Sequence, residues 1–127
     1  MSKLNQFIEI RNRNYKAFVQ MCRRYPDDLM VIEVPGVSSF VLPFIFKNRE
    51  RKLLFQEHIR KAGIESRPLI SGNLLRQPFL SSYYDPVLFR NADVLHERAF
   101  YIGNNQFVDE NRLCRLADVM AAFFGNV

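Results

Sequence analysis

At 127 residues the chain is the size of one domain and too short for two ordinary ones. A hydrophobic content of 48% excludes a disordered polymer, and 12 Phe with no Trp predict a Phe-rich core with some aromatic surface left to cover a neighbour. The net charge of +5 comes from scattered residues (Arg11, Arg13 and Lys16, Arg23 and Arg24, Lys47 to Lys52) rather than a block, which argues for solvated helix faces and against nucleic acid, while leaving room for a small anion. Leu4, Ile8, Tyr15, Phe18 and Cys22 recur at helical steps and predict an amphipathic helix from Lys3 to Arg24, halted before Pro26. Met30 to Val34 reads as a short strand, followed by a Pro35-Gly36 turn and a strand from Phe40 to Phe46 that is apolar on both faces. The two strands are expected to pair antiparallel, and Pro43, which has no N–H to donate, places the second at an edge or bulge.

Asn48 is a candidate cap for a helix from Arg49 to Ala62 that stops at Gly63. Ile64 to Ile70 reads as a strand with Pro68 again signalling an edge. Ser71 to Asn91 reads as loop, long enough that a functional role or a covering partner is expected. Ala99 to Ile102 is a last short strand, and Asp109 caps a closing helix with Leu113, Leu116, Ala117, Met120 and Phe124 on one stripe, ended by Gly125. The order predicts a single α+β domain over 1–127: a small, mostly antiparallel sheet with helices packed mainly on one face.

Catalytic constellations are sparse. Nucleophilic chemistry needs a base beside the nucleophile, and the only histidines are His58, mid-helix, and His96, beside Glu97. A His96–Glu97 pair could shuttle protons, but a structural hydrogen bond is the simpler reading. There is no HExxH, no GxGxxG, no P-loop and no CxxC. Cys22 and Cys114 read as buried, reduced thiols. With a polar start and no apolar run of membrane length, a soluble, cytoplasmic protein is expected, without a membrane partner. The densest polar cluster is Ser71-Gly72-Asn73-Leu74-Leu75-Arg76-Gln77-Pro78, directly after a predicted strand. Gly72 permits close backbone approach, Asn73 and Gln77 can donate and accept, and Arg76 offers a fork for phosphate or carboxylate. One turn could aim Asn73, Arg76 and Gln77 at an anion; an ordinary turn with a solvent-facing Arg explains the string equally well.

Four strings together resemble the C-terminal region of the DegT/DnrJ/StrS family: Gly63-Ile64-Glu65-Ser66-Arg67-Pro68, Gly72 to Pro78, Asn91-Ala92-Asp93, and Phe100-Tyr101-Ile102-Gly103-Asn104. These are fold-type I, pyridoxal-phosphate-dependent aminotransferases and dehydratases of nucleotide-linked keto-deoxy sugars, and the Gly-Asn-Leu-x-Arg-Gln-Pro string looks closest to the 3-dehydrase branch of lipopolysaccharide synthesis. The resemblance implies a small C-terminal domain whose cofactor sits in a large N-terminal domain, on a Schiff-base lysine or the histidine replacing it. No lysine here lies in such a motif, so no cofactor is expected in this chain; its expected partners are that missing cofactor domain, a second copy in a homo-oligomer, and the nucleotide-sugar. The resemblance further implies that Arg67, Asn73, Arg76 and Gln77 face the active-site mouth and bind substrate. A stand-alone ligand-binding or protein-interaction module is the alternative.

Overall fold

The computed structural model describes residues 2–125. Four helices and a four-stranded sheet form in the order α1 (Ser2–Cys22), β1 (Leu29–Met30), β2 (Val41–Phe46), α2 (Arg49–Lys61), β3 (Arg67–Pro68), α3 (Arg90–Arg98), β4 (Ala99–Gly103) and α4 (Glu110–Phe124). The sheet runs β1-β2-β4-β3 with every neighbouring pair antiparallel. The predicted α+β class and antiparallel pairing hold.

Period-two alternation explains which sheet face is filled. Leu42, Phe44 and Phe46 point to the same side of β2 and are buried, and register places Leu42 opposite Ile102 and Phe44 opposite Phe100 on β4. Onto that face pack Phe18 and Cys22 of α1, Phe55 and Ile59 of α2, and Leu113, Leu116 and Met120 of α4. Phe44 is the centre of this layer, edge-on to Phe18 and Phe55 and stacked on Phe100 at 5.2 Å. The opposite face carries Val41, Pro43 and Tyr101, all half-buried, and Arg67, which is exposed.

Helix ends follow the caps legible in the sequence. Asn48 Oδ1 accepts from the backbone of Glu50 and Arg51, and Asp109 Oδ1 from Arg112. At the end of α2, Gly63 takes φ +76°, its N–H donates to the Arg60 carbonyl and the Ile64 N–H to the Ile59 carbonyl, a Schellman closure that fixes where β3 begins. Asp28 and Arg51 form a bidentate pair (2.8 and 3.0 Å) that ties the β1 entry to α2. Asn104, at the end of β4, is buried and donates to the Arg11 and Ser39 carbonyls while accepting from Asn14 of α1.

Several boundaries differ from expectation. The first strand is Leu29–Met30 alone, and β3 is Arg67–Pro68 rather than the whole Ile64–Ile70 run. Pro43 sits in the second strand from one edge, yet β1 pairs only with Phe46 and Ile45, so beside Pro43 the ladder has already ended on that flank. Ser71 to Asn91 is not structureless: short 3₁₀ turns span Leu74–Arg76 and Pro78–Tyr83, and α3 occupies Arg90–Arg98. Cys22 is buried, but Cys114 lies on the outer face of α4 and is exposed, because it falls off the Leu113–Leu116–Met120 stripe. No helix among the described residues is long and apolar enough to cross a membrane.

Candidate functional site

The open face of the sheet presents Arg67. Register aligns Pro43, Tyr101 and Arg67 in one row across three strands, so Arg67 and the Tyr101 side chain share the uncovered side. A depression of about 350 Å³ lies there, lined by Phe40, Val41, Glu65, Arg67, Tyr101 and Gly103. Among the described residues the Arg67 guanidinium is bound only by Glu65 Oε1 (3.2 Å from Nε, 3.0 Å from Nη2), and both side chains are well exposed. An exposed pair of this kind is worth little and exchanges readily for another anion.

The loop after β3 is built around Asp93 of α3. One Asp93 oxygen accepts from Asn73 Nδ2 (2.8 Å) and Arg76 Nε (2.6 Å), and the other from the Tyr84 hydroxyl (2.6 Å). These donors, the Tyr84 hydroxyl foremost, hold the Asp93 carboxyl down at about 2. The same bond raises Tyr84 above its ordinary value, and Arg76, bonded by Asp93 and by Glu97 (2.9 Å), is raised as well. His96 closes the loop from below: its Nδ1 accepts from the Asn73 backbone N–H at 2.9 Å. The backbone passes so close that a Cβ on Gly72 would sit 2.2 Å from His96 Nδ1, and Gly72 has φ +55°. Both facts restrict the position to glycine.

The four sequence-predicted site residues are therefore not equivalent. Asn73, Arg76 and Gln77 do cluster beside Gly72, but the turn does not aim all three outward. Asn73 is buried, its amide spent on Asp93 and on the Leu75 N–H, and the Arg76 fork is occupied by two carboxylates. A half-buried Gln77 donates to the Ser71 carbonyl at 3.3 Å, a long bond that leaves its oxygen free among the described residues. Arg67 lies on the open face, apart from this network. The sequence does not reveal Tyr84, the pairing of Glu97 with Arg76 rather than His96, or the hub role of Asp93, although Asp93 stands in one of the strings that carry the resemblance. His58 is a satisfied residue, its Nε2 3.0 Å from the Val119 carbonyl, and His96 makes a structural hydrogen bond.

With this arrangement in hand, similarity to known proteins is informative. No family model matches the chain. A GDP-4-keto-6-deoxy-D-mannose 3-dehydratase of Escherichia coli O55:H7 is 34% identical over 113 residues, 84% of this chain and 29% of that protein. The E. coli GDP-4-keto-6-deoxy-D-mannose-3-dehydratase with bound hydrated PLP superposes with a TM-score of 0.78 at 29% identity, covering 94% of this chain and 32% of that one. These relatives are DegT/DnrJ/StrS-type sugar enzymes, and the chain is homologous to one part of them. A Yersinia pseudotuberculosis protein of the same dehydratase name is 25% identical over 126 residues, again 94% of this chain and 32% of the relative. The chain thus spans about a third of the length of these relatives, and its fold matches their C-terminal domain.

Proposed function

We propose that the chain is the substrate-side small domain of a pyridoxal-phosphate-dependent enzyme acting on nucleotide-linked 4-keto-6-deoxy sugars, of the kind used in lipopolysaccharide synthesis. The observation that supports this reading is the match of nearly the whole chain to about one third of the 3-dehydratases, with a fold similarity that covers 94% of the chain. The residues present do not fit the cofactor itself. A Schiff-base lysine needs an enclosed site with a wall for the ring, whereas Lys52, a lysine destabilised by burial, borders an open polar cleft with Arg49, Arg76, His96 and Glu97. In this reading the cofactor is held by a partner domain homologous to the remainder of the relatives.

What this chain supplies is orientation and charge. Arg67 would exchange Glu65 for a diphosphate or carboxylate oxygen, with Tyr101 and Phe40 offering apolar contact beside it. Gln77 is the second direct contact, through its amide. Asn73 and Arg76 act by holding the loop on Asp93 and reach substrate only if that network opens. Phe79, Tyr83, Val87 and Leu88 are between 71% and 81% exposed, more than a lone soluble surface favours in one segment, and we assign this stretch to contact with the cofactor domain or a second copy. The same stretch supports a second reading, a protein-interaction module without catalysis. A chimera separates the two: the C-terminal domain of the E. coli 3-dehydratase replaced by this chain. Sugar-dependent dehydration by the chimera is expected; a folded, cofactor-loaded chimera with no turnover would favour the interaction module.

A further inference from the structure

A second anion-sized cleft lies away from Arg67. It holds about 480 Å³ where the first turn of α2 meets the last turns of α3, lined by Arg49, Lys52, Arg76, His96 and Glu97, and it shares no lining residue with the sheet-face depression. Its charges do not balance. Glu97 and Asp93 together carry one charge more than Arg76, while Arg49 and Lys52 have no carboxylate in ion-pair range among the described residues, so the group keeps a positive excess of one. The Lys52 ammonium is held below its ordinary value, first by burial and then by repulsion from Arg49, with Glu97 opposing. An anion in the cleft would relieve that repulsion.

His96 adds a donor. Because the Asn73 N–H is donated to Nδ1, that nitrogen carries no proton, and the neutral ring bears its hydrogen on Nε2. Nε2 makes no hydrogen bond among the described residues, and His96 lines the cleft. The Asn73 N–H therefore sets the tautomer that leaves an N–H donor on a residue lining the cleft.

We propose that this cleft binds a phosphate-type oxyanion, with Arg49 and Lys52 as charged donors and His96 Nε2–H as a neutral one. Two cations outside any ion pair, with a net excess of +1, suit an oxyanion, and donors arriving from two helices suit a tetrahedral group better than the planar, bidentate carboxylate. The Arg76 fork, which would favour a carboxylate, is already filled by Asp93 and Glu97. The proposal is independent of the sugar-enzyme reading, since neither Arg67 nor a cofactor domain takes part.

The test is an amide and histidine-ring NMR titration of the whole chain with sodium phosphate at constant ionic strength. Saturable shifts are expected at Arg49, Lys52, Asn73 and His96, with the paired substitution Arg49→Gln/Lys52→Gln weakening binding by about tenfold or more. A parallel titration with GDP assigns the source: tighter saturation of the same residues indicates a nucleotide phosphate, and weaker or equal saturation indicates free phosphate. Non-saturating shifts spread equally over Arg11, Arg23 and the cleft would overturn the proposal. So would unchanged affinity in the folded double variant.

Discussion

Gly72→Ala tests the loop architecture on which the site depends. Two costs add. The left-handed φ of +55° penalises any Cβ by about 1–2 kcal/mol. The Cβ would also stand 2.2 Å from His96 Nδ1, so the ring must move and the Asn73 N–H loses its partner, costing about 1–3 kcal/mol more. The sum is about 2–5 kcal/mol, or roughly 8–20 °C in Tm at about 4 °C per kcal/mol for a domain of this length. Gly63→Ala is the control: φ is +76°, but the nearest contact, an Arg115 guanidinium nitrogen, is at an ordinary 3.8 Å, so the φ cost alone, about 1–2 kcal/mol, is expected. Thermal melts of both variants, and of Gly72→Ala in a His96→Ala background, form the assay. In that background the clash is gone, and Gly72→Ala should cost no more than Gly63→Ala. Equal Tm shifts for the two glycines in the native background, or no coupling between Gly72 and His96, would refute the reasoning.

Asp93 has a folded carboxyl near 2 against an unfolded 3.8, so its stabilisation is complete above about pH 4 and is lost as pH falls toward 2; Asp93→Asn should flatten the stability–pH slope in that window, measured by urea unfolding. Phe44→Ala empties the centre of the aromatic layer and should cost about 3–5 kcal/mol by chemical denaturation, with an unchanged fold by circular dichroism. Cys114 should react with a thiol reagent in the native protein within minutes. Cys22, buried and pushed up to about 12, should react only on unfolding, and prompt modification of both would contradict the packing of α1.

The elements with strong local signals were readable from sequence. Caps at Asn48 and Asp109, the stop at Gly63 and the Leu113–Leu116–Met120 stripe each depend on a few neighbouring residues, and each is where the sequence places it. Helix α3 was not readable: its nine residues contain no apolar stripe of helical length, its cap residue Phe89 makes no side-chain capping bond, and packing against β2 and β4 rather than propensity fixes it. The shortness of β3 has a local cause: Pro68 has no N–H to give to the ladder, and pairing ends there although β4 continues. At the site, sequence shows that Asn73 and Arg76 are polar and close but not where their donors point. That direction is set by Asp93, seventeen residues after Arg76, and only the fold brings the two within 2.6 Å.

In the proposed function Arg67 faces the substrate of a larger enzyme. The most direct measurement is kcat/KM for the nucleotide-sugar in the dehydratase chimera carrying Arg67→Ala, with Tm recorded alongside. Loss of one charge-assisted contact of about 1.5–3 kcal/mol predicts a fall of about 10- to 150-fold at unchanged Tm, because the side chain is exposed and, among the described residues, bonded only to Glu65. An unchanged kcat/KM would contradict the assignment of the open sheet face as the substrate side.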